Sequence, residues 1–367
     1  MIKLSKSSIS NLEKSNVQSV LSKEYLGIGE HVKEFEDNLS NFFGRNVVCL
    51  NSGTAALHLA LQAIGIKEND EVLVPSLTYV ASYQAIKASG AKPVSCDISL
   101  NNLCIDLNDA KKKININTKA IMPVYYSGDA SIADDVILFA KDNGIRVVED
   151  AAHAFGSVSN KKIIGSFGDI SCFSFDGIKN ITCGEGGCVV TSDIDVINKV
   201  KDSRLLGVEK DSENRYKGMR SWNFNVYDQG WRYHMSNINA AIGIAQLERF
   251  DAFKLKRQKL SMLYDNILNN YKNIEVYKRN YDEITPHIYV IRIKGLKNFD
   301  IIKDKFLKNG IEIGRHYFPN HLLKYFKEDI SLINTELVYN ELITLPLHYD
   351  LNEKDIIYIT DVLKKII

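Results

Sequence analysis

The feature that most constrains this chain is the alternation of short apolar strands with helix-length segments through its first 150 residues. Five strands are predicted, at 46–52, 71–76, 92–97, 120–126 and 146–150. The segments 32–43 and 54–65 have the periodicity of helices. Strands that alternate with helices pair in parallel, and both faces of such a sheet must be covered. The pattern therefore predicts an α/β fold with a mostly parallel sheet flanked by helices.

The second half of the chain changes pattern twice. From about residue 168 the elements shorten to strand, loop and strand, and a helix over 236–250 closes this half. A long helix at 253–271, strands near 288–294 and a helix at 300–310 follow. A chain of 367 residues is long enough for two domains. We therefore expect a large domain at 1–250 and a smaller C-terminal α/β domain at 251–367.

The composition excludes several classes of protein. The 46 Lys and Arg residues nearly balance the 45 Asp and Glu residues, so no global field would hold nucleic acid or an anionic membrane. No stretch approaches the roughly 18 apolar residues of a membrane helix, and the first ten residues lack the apolar core of a signal peptide. The six cysteines show no CxxC spacing. We expect a cytoplasmic protein without a metal site, whose cysteines are buried thiols.

One predicted strand ends in a turn that suits a phosphate. The sequence NSGTAA places Gly53 and Thr54 where the strand gives way to a helix. The N-terminus of a helix offers free backbone N–H groups and a partial positive charge, which favour an anion. The same residues would serve equally well as a glycine turn and an ordinary helix cap. The turn alone leaves both interpretations open, although it is not a P-loop, because no GKS or GKT follows.

Two charged residues are predicted at the same edge of the sheet. Asp150 ends the apolar strand RVVED, and Lys179 follows the strand SCFSF. Taken singly, such an acid is commonly a helix cap and a lysine is usually a solvated surface charge. Together with the turn at Gly53 they match pyridoxal 5'-phosphate (PLP), which needs a lysine for its aldehyde, an acid for its pyridine nitrogen and a site for its phosphate. The combination therefore predicts a PLP enzyme.

Several ordered motifs resemble those of a known family. The chain contains NSGTAALHLAL, VPSLTYVAS, VVEDAAHAFGS and SFDGIKNITCGEGG, followed by QLERF and GIEIGRHYFPNH. These are similar to motifs of the fold-type I, PLP-dependent sugar aminotransferases called the DegT/DnrJ/EryC1/StrS family. The match runs in order from YLGIGEHVKEFE to LPLHYD, which is nearly the whole chain.

The resemblance implies roles for residues around the cofactor. Lys179 would bind the PLP aldehyde, and Asp150 would pair with the ring nitrogen. Tyr79 matches the aromatic residue that stacks on the ring, and His153 matches a position near the phenolic oxygen of the cofactor. The phosphate would be bound by residues of the turn and of the strand before the lysine, namely Gly53, Thr54, Ala55 and Ser174.

Two further segments concern the partner subunit and the substrate. Many family members have an asparagine, supplied by the neighbouring subunit to the cofactor phosphate, in a G-Y-N-Y-R-M segment. The corresponding segment of this chain is GWRYHM, with Arg232 at the position of the asparagine. We therefore expect a homodimer with shared active sites, in which Arg232 binds the phosphate, the partner or the substrate diphosphate; its role stays open. The late loop has the sequence RHYFPNH, in which His316 and His321 match a family loop near the sugar pocket. Arg315, together with these two histidines, is a candidate to bind the diphosphate of the substrate.

The resemblance implies a reaction as well as a cofactor. L-glutamate would donate the amino group, and pyridoxamine 5'-phosphate would carry it to a nucleotide-linked keto sugar. The form of the lysine loop favours amination at C4 of a 4-keto-6-deoxyhexose, and we expect dTDP-4-keto-6-deoxy-D-glucose, with GDP-4-keto-6-deoxymannose and UDP-linked sugars as alternatives. The product is expected to enter a surface polysaccharide such as the O-antigen of lipopolysaccharide.

Two other functions remain as alternatives. The PLP-dependent sugar dehydratases of the same family replace the lysine with histidine, so Lys179 argues against that activity. A regulator that binds PLP without turnover is disfavoured by the neutral charge and by the absence of an appended helix-turn-helix segment.

Overall fold

The computed structural model describes residues 1–367 and contains twelve β-strands. In chain order they are β1 (Asn46–Leu50), β2 (Glu71–Pro75), β3 (Lys92–Cys96), β4 (Thr118–Ile121), β5 (Arg146–Asp150), β6 (Val158–Ser159), β7 (Lys162–Ile163), β8 (Ile170–Ser174), β9 (Gly187–Thr191), β10 (Ile274–Val276), β11 (Tyr289–Ile293) and β12 (Leu342–Leu345). Seven of them form one large sheet, and β6 and β7 form a small hairpin.

Thirteen α-helices connect and cover these strands. They are α1 (Asn11–Ser22), α2 (Glu30–Phe43), α3 (Gly53–Ala63), α4 (Val80–Ala88), α5 (Leu107–Lys113), α6 (Ala133–Asn143), α7 (Ile194–Ser203), α8 (Asp211–Tyr216), α9 (Asn237–Glu248), α10 (Phe250–Leu268), α11 (Phe299–Lys308), α12 (Ile333–Glu341) and α13 (Glu353–Ile366). No helix combines the length and the apolar character that a membrane crossing requires.

The large sheet has the strand order β1-β9-β8-β5-β4-β2-β3. Its strands run parallel except β9, which pairs antiparallel with β1 and β8. This confirms the predicted mostly parallel sheet. It also explains the shorter pattern after residue 168, because β8 and β9 are joined by a loop instead of a helix.

Apolar side chains cover both faces of this sheet. In β1, Val48 and Leu50 pack with α3, α4 and α7 on one face, whereas Val47 and Cys49 pack with α2 and α9 on the other. Successive side chains of a strand point to opposite faces, so a strand that is apolar throughout fits a sheet covered twice. All six cysteines are buried as free thiols.

One predicted strand is shorter in the structure than in the prediction. β4 ends at Ile121, not at residue 126. Pro123 has no N–H to donate to a neighbouring strand, and residues 126–128 form a short 3₁₀ turn in which Ser127 has φ +60°. Val124 still bridges Asp150. The irregular segment 122–128 therefore lies against the carboxyl end of β5, where it borders the predicted site.

The C-terminal part has its own sheet and its own apolar cluster. Strands β10, β11 and β12 pair antiparallel, and they pack against α10, α11 and α13. Helix α10 belongs to both parts, because Phe250 and Phe253 join the cluster around α2 whereas Leu260 and Tyr264 join the C-terminal cluster. A domain division between residues 250 and 251 stays a prediction.

Candidate active site

The residues predicted to bind the cofactor lie at the carboxyl edge of the large sheet. Asp150 is the last residue of β5, and Ser174 is the last residue of β8. Helix α3 begins at Gly53 soon after β1, and Tyr79 lies between β2 and α4. Because parallel strands end at the same edge of a sheet, the strand order alone brings these residues together.

The Asp150 carboxylate is buried, and both of its oxygens accept hydrogen bonds. Ser82 Oγ donates to Oδ2 at 2.7 Å, and Ala152 N–H donates to Oδ1 at 3.2 Å. The Thr78 hydroxyl lies 2.9 Å from Ser82 Oγ and holds it in turn. Burial raises the pKa of Asp150, whereas Ser82, Ala152 and the charge of Lys179 lower it. A cation facing this carboxylate would favour its ionised form further.

Lys179 is a half-buried amine in the loop between β8 and β9. Burial lowers its pKa to about 8, and the nearby carboxylates of Asp150 and Asp176 act in the opposite direction. The loop is fixed by its backbone, because Lys179 N–H donates to Asp176 O at 3.1 Å and Asn180 Nδ2 donates to Thr285 O at 3.3 Å. A lysine of this kind supplies neutral amine close to pH 8, which attack on an aldehyde requires.

The predicted phosphate site is a narrow gap between the start of α3 and the end of β8. A Cβ added to Gly53 would lie 2.8 Å from the Cβ and 3.1 Å from the Oγ of Ser174, so only glycine permits this approach. Gly53 and Thr54 begin the helix and have no carbonyl one turn earlier to accept their N–H groups. Ala55 N–H instead donates to Ser52 Oγ at 3.1 Å. The helix start therefore offers two uncapped donors and one capped donor.

The residues present at this edge fit PLP. Lys179 provides an amine, Asp150 an acid, and the gap between Gly53 and Ser174 provides amide and hydroxyl donors for a phosphate. Both groups that hydrogen-bond Asp150 are neutral, so a protonated ring nitrogen would give this buried carboxylate a hydrogen-bonded cation. The donor set and the close approach of the helix start to β8 therefore match the three ends of the cofactor.

His153 and Tyr79 border the same space in different ways. His153 is buried; its Nδ1 accepts Ser127 N–H at 3.3 Å, and its Nε2 lies 3.0 Å from the Tyr317 hydroxyl. Burial and the charge of Lys179 hold the pKa of His153 well below its usual value, so the ring is neutral. Tyr79 is 59% exposed, and its ring centroid lies 5.5 Å from that of Tyr317. An exposed aromatic face here suits a flat ligand.

The late loop crosses from the C-terminal part to the large sheet and brings His316 beside the irregular segment 122–128. His316 Nδ1 lies 2.8 Å from Thr344 Oγ1, and the Tyr126 hydroxyl donates to His316 O. Burial and the charge of Lys179 lower the pKa of His316 to about 4. Contact of His316 with a sugar substrate stays a prediction.

The other two residues predicted from this loop lie elsewhere. His321 is fully buried, and its Nδ1 is 2.7 Å from Ser76 Oγ, so the ring anchors the loop to the end of β2. The Arg315 guanidinium lies 4.3 Å from the ring centroid of Phe299 on α11 and 4.7 Å from that of Tyr339 on α12. Contact of either residue with a substrate stays a prediction.

The segment 217–230 leads to Arg232 and exposes much apolar surface. Its largely exposed apolar side chains are Met219, Trp222, Phe224, Val226 and Tyr227. Arg232 follows as an exposed cation whose backbone bridges Leu205. In the single chain, Arg232 is thus held by its backbone while its side chain faces outward.

Sequence reasoning did not single out Ser82, Thr78 or Tyr317. Ser82 lies in α4 within VASYQAI, and a hydroxyl on the buried face of an apolar helix was the available signal. Tyr317 lies in RHYFPNH directly after His316, which the sequence analysis did predict near the substrate. Its partner His153 is 164 positions away, so no local pattern could reveal the contact.

Comparisons with known proteins cover nearly the whole chain. Residues 7–364 match the model of the DegT/DnrJ/EryC1/StrS aminotransferase family. The chain is 31% identical over 368 residues to the spore coat polysaccharide biosynthesis protein SpsC of Bacillus subtilis. The alignment covers 97% of this chain and 94% of SpsC.

Solved structures of aminotransferases superpose on nearly the whole chain. The putative sugar aminotransferase Spr1654 of Streptococcus pneumoniae, in its PMP form, superposes with a TM-score of 0.93 at 29% identity, covering 100% of this chain and 99% of that one. Its PLP form superposes with a TM-score of 0.91 at 28% identity and covers 99% of each chain. PseC of Helicobacter pylori, an aminotransferase of pseudoaminic acid biosynthesis, superposes with a TM-score of 0.92 at 27% identity and covers 100% of this chain and 99% of PseC.

Proposed function

Because the chain belongs to the DegT/DnrJ/EryC1/StrS aminotransferase family and is a PLP-dependent sugar aminotransferase, we propose that it transfers the amino group of L-glutamate to C4 of a nucleotide-linked 4-keto-6-deoxyhexose. The meeting of Lys179, Asp150 and the gap at Gly53 carries the aminotransferase chemistry of this proposal. Our first choice of acceptor is dTDP-4-keto-6-deoxy-D-glucose, before the GDP- and UDP-linked sugars. Similarity to a polysaccharide biosynthesis protein supports a surface polysaccharide as the destination.

The proposed roles of the two charged residues follow from their surroundings. PLP, when bound, supplies an aldehyde for amines and a ring that accepts the electron pair left when a C–H bond breaks. Asp150 holds a proton on the ring nitrogen by its charge, and Ser82 and Ala152 N–H hold the carboxylate in place. Lys179 Nζ would take the proton from Cα of the amino donor as a base and would deliver it as an acid to C4′, the carbon that carried the aldehyde. A pKa of about 8 suits both duties near neutral pH.

The phosphate is proposed to lie at the start of α3. Gly53 and Thr54 N–H, the Thr54 hydroxyl and the Ser174 hydroxyl are the donors that lie around the gap. The partial positive charge of the helix N-terminus adds to these hydrogen bonds. Ala55 N–H can contribute by sharing its proton between Ser52 Oγ and the phosphate.

For the acceptor we propose His316 as the loop residue that borders the sugar, because the loop is held against the edge of the large sheet where the Tyr126 hydroxyl donates to His316 O. His321 supports the loop from behind, since its ring is buried against Ser76. Arg315 remains our candidate for the diphosphate, as an arginine can bind phosphate oxygens with two parallel hydrogen bonds.

We also propose a homodimer in the cytoplasm. Trp222 is 85% exposed and Tyr227 is 73% exposed, and clusters of exposed apolar side chains mark interaction surfaces. Arg232 lies next to this surface, at the position where the family resemblance implies a residue donated to the neighbouring active site. A second copy is therefore the occupant we propose for the surface formed by residues 217–230.

The experiment that tests this function is a panel of acceptors. The protein, loaded with PLP, is incubated with L-glutamate and with each of the dTDP-, GDP- and UDP-linked 4-keto-6-deoxy sugars, and 2-oxoglutarate is followed. We expect the highest kcat/KM with the dTDP sugar, and no turnover in Lys179→Ala. Comparable kcat/KM with pyruvate would contradict a sugar acceptor. Borohydride reduction should fix the cofactor on Lys179; a failure to release any 2-oxoglutarate from glutamate would favour a regulator without turnover.

A further inference from the structure

A turn of four residues joins the end of β2 to the start of α4, and its carbonyls are paired from a distant part of the sequence. β2 ends at Pro75, and α4 begins at Val80. Within the turn, Ser76 O accepts from the Asn320 backbone N–H at 3.0 Å and from Asn320 Nδ2 at 3.1 Å. Thr78 O accepts from the same Nδ2 at 2.7 Å, and neither carbonyl has a donor from any other residue. Asn320 thus provides the hydrogen bonds that neither the strand nor the helix supplies.

Only one orientation of the Asn320 amide fits this place. Its Nδ2 carries two hydrogens and faces two carbonyl oxygens, so each hydrogen has an acceptor. With the amide turned over, its own oxygen would face both carbonyl oxygens, and no hydrogen would lie between them. Asn320 is fully buried, and so is His321, whose Nδ1 lies 2.7 Å from Ser76 Oγ. The amide is therefore a fixed donor that the late loop presents to the turn.

Thr78, which Asn320 holds by its carbonyl, begins a series of hydroxyl groups that ends on Asp150. Ser82 Oγ lies 2.7 Å from Asp150 Oδ2 and 3.4 Å from Tyr79 O, so its one hydrogen is donated to the closer, charged acceptor. Ser82 Oγ must then accept from Thr78 Oγ1, which lies 2.9 Å away. All of these groups are buried, so water competes little with their hydrogen bonds. The series therefore runs in one direction, from the late loop to the carboxylate.

We propose that Asn320 is a positioning residue for Asp150, because it fixes Thr78, whose hydroxyl directs Ser82 toward the carboxylate. Removing the Asn320 amide leaves two buried carbonyls without their side-chain donor, so Thr78 can shift and Ser82 loses a fixed partner. A hydrogen bond to the ionised form lowers the pKa of a carboxyl group, and Ser82 lowers that of Asp150 in this way. The loss of Asn320 should therefore raise the pKa of Asp150. This coupling lies within the protein itself, and only its effect on catalysis rests on the proposed function.

Other groups also act on Asp150, and the experiment has to separate them from Asn320. The charge of Lys179 lowers the pKa of Asp150, and Cys172 on β8 and Tyr317 in the late loop are the other titratable groups near it. None of the three is substituted below. Because Tyr317 belongs to the same loop as Asn320, one variant must interrupt the series without altering the loop. Thr78→Val does so, since it removes only the hydroxyl of the turn residue and keeps its shape.

The direct test measures the pKa of Asp150 in the cofactor-free protein by ¹³C NMR. Aspartate labelled at the carboxyl carbon is incorporated, and the Asp150 signal is assigned by its absence in Asp150→Asn. In Asn320→Ala we expect this pKa to rise by about half a unit to one unit, and Thr78→Val should raise it similarly. Asn334→Ala is the matched control, because Asn334 Nδ2 donates to Ile98 O at 2.9 Å, just after β3, and not to the turn. Its Asp150 pKa should equal that of the wild type.

The outcomes that overturn the proposal are distinct. An unchanged Asp150 pKa in Asn320→Ala, with the fold retained by circular dichroism, removes the role of Asn320. An equal rise in Asn334→Ala would show general loosening of the C-terminal part instead of a specific contact. If Asn320→Ala does not fold, Asn320→Ser, which keeps one donor on a shorter side chain, takes its place, and the absence of any rise would be equally decisive.

A double variant tests whether Asn320 acts through Ser82. In protein that already carries Ser82→Ala, Asn320→Ala should cause no further rise in the pKa of Asp150, because a positioning residue acts through its partner. Additive rises would overturn the proposed route. In the PLP-loaded protein, Asn320→Ala should also move the acid limb of the glutamate half-reaction to higher pH. A wild-type protein that binds PLP but releases no 2-oxoglutarate would contradict the proposed function, whereas the rise measured without cofactor would still support the role of Asn320.

Discussion

The cofactor edge of the large sheet and the segment 217–232 belong to the same chain but differ in how completely their groups are paired. At the edge, both Asp150 oxygens and both His153 nitrogens have partners. In the segment, Trp222 is 85% exposed and Arg232 faces outward. A single chain therefore orders the groups that we propose to bind the cofactor. The apolar surface of the segment, in contrast, would be stabilised by burial against another molecule.

The anchoring of the two regions explains this difference. The groups at the edge follow strands that are covered on both faces. The segment is anchored at its base, where Arg204, fully buried, donates to Cys49 O at 2.6 Å and pairs with Glu36. Ser212 on α8 completes this cluster at 3.2 Å from the guanidinium. The buried cluster fixes the direction in which the segment leaves the protein, while its side chains stay in solvent.

The largest effect is expected at the cofactor edge of the large sheet, in Asp150→Asn. The amide keeps the size of the side chain but cannot stabilise a protonated ring nitrogen, so the glutamate half-reaction should slow by about three orders of magnitude or more. Single-turnover absorbance measures this rate, and circular dichroism checks that the fold is retained. A rate near that of the wild type would show that Asp150 serves only as a cap for the following turn.

The part of the site that follows from local pattern could be predicted, and the part that depends on distant partners could not. The apolar strand RVVED and the loop after SCFSF place Asp150 and Lys179 at one edge of the sheet, because the end of a strand is visible in a single stretch of sequence. The contact between His153 and Tyr317 joins residues of the two predicted domains, and no local sequence pattern indicates such a long-range contact. The predicted β4 extends too far, because the apolar residues continue past Pro123 although the strand ends at Ile121.

The second prediction tests whether the exposed segment completes the site of a neighbour. Lys179→Ala and Arg232→Ala chains, each poorly active alone, are mixed and allowed to exchange subunits. If Arg232 acts across the interface, each mixed dimer has one intact site, and a random 1:1 mixture should recover about a quarter of the wild-type turnover. Native mass spectrometry verifies the exchange. If verified mixed dimers are no more active than the separate variants, Arg232 does not act in trans.

The smallest effect is expected for Ser82→Ala, which removes one donor from Asp150 and leaves its charge. Ser82 lowers the pKa of Asp150, so its loss should raise that pKa. Since the proposed mechanism needs the ionised carboxylate, the acid limb of kcat should move to higher pH by about one unit, with only a few-fold loss at pH 7. The effect should therefore grow as the pH falls.

The shape of the pH profile separates this positioning role from a general defect in packing. Ser82→Thr keeps a hydroxyl at the same position and should restore the acid limb, whereas Ser82→Cys, with a weaker donor, should restore it in part. Full kcat profiles between pH 5 and pH 9, with thermal unfolding of each variant, provide the measurement. A uniform loss at every pH, with the acid limb unmoved, would mean that Ser82 packs α4 against the sheet and does not tune Asp150. In that outcome the pKa of Asp150 would be set without Ser82, by Ala152 N–H and by the burial of the carboxylate.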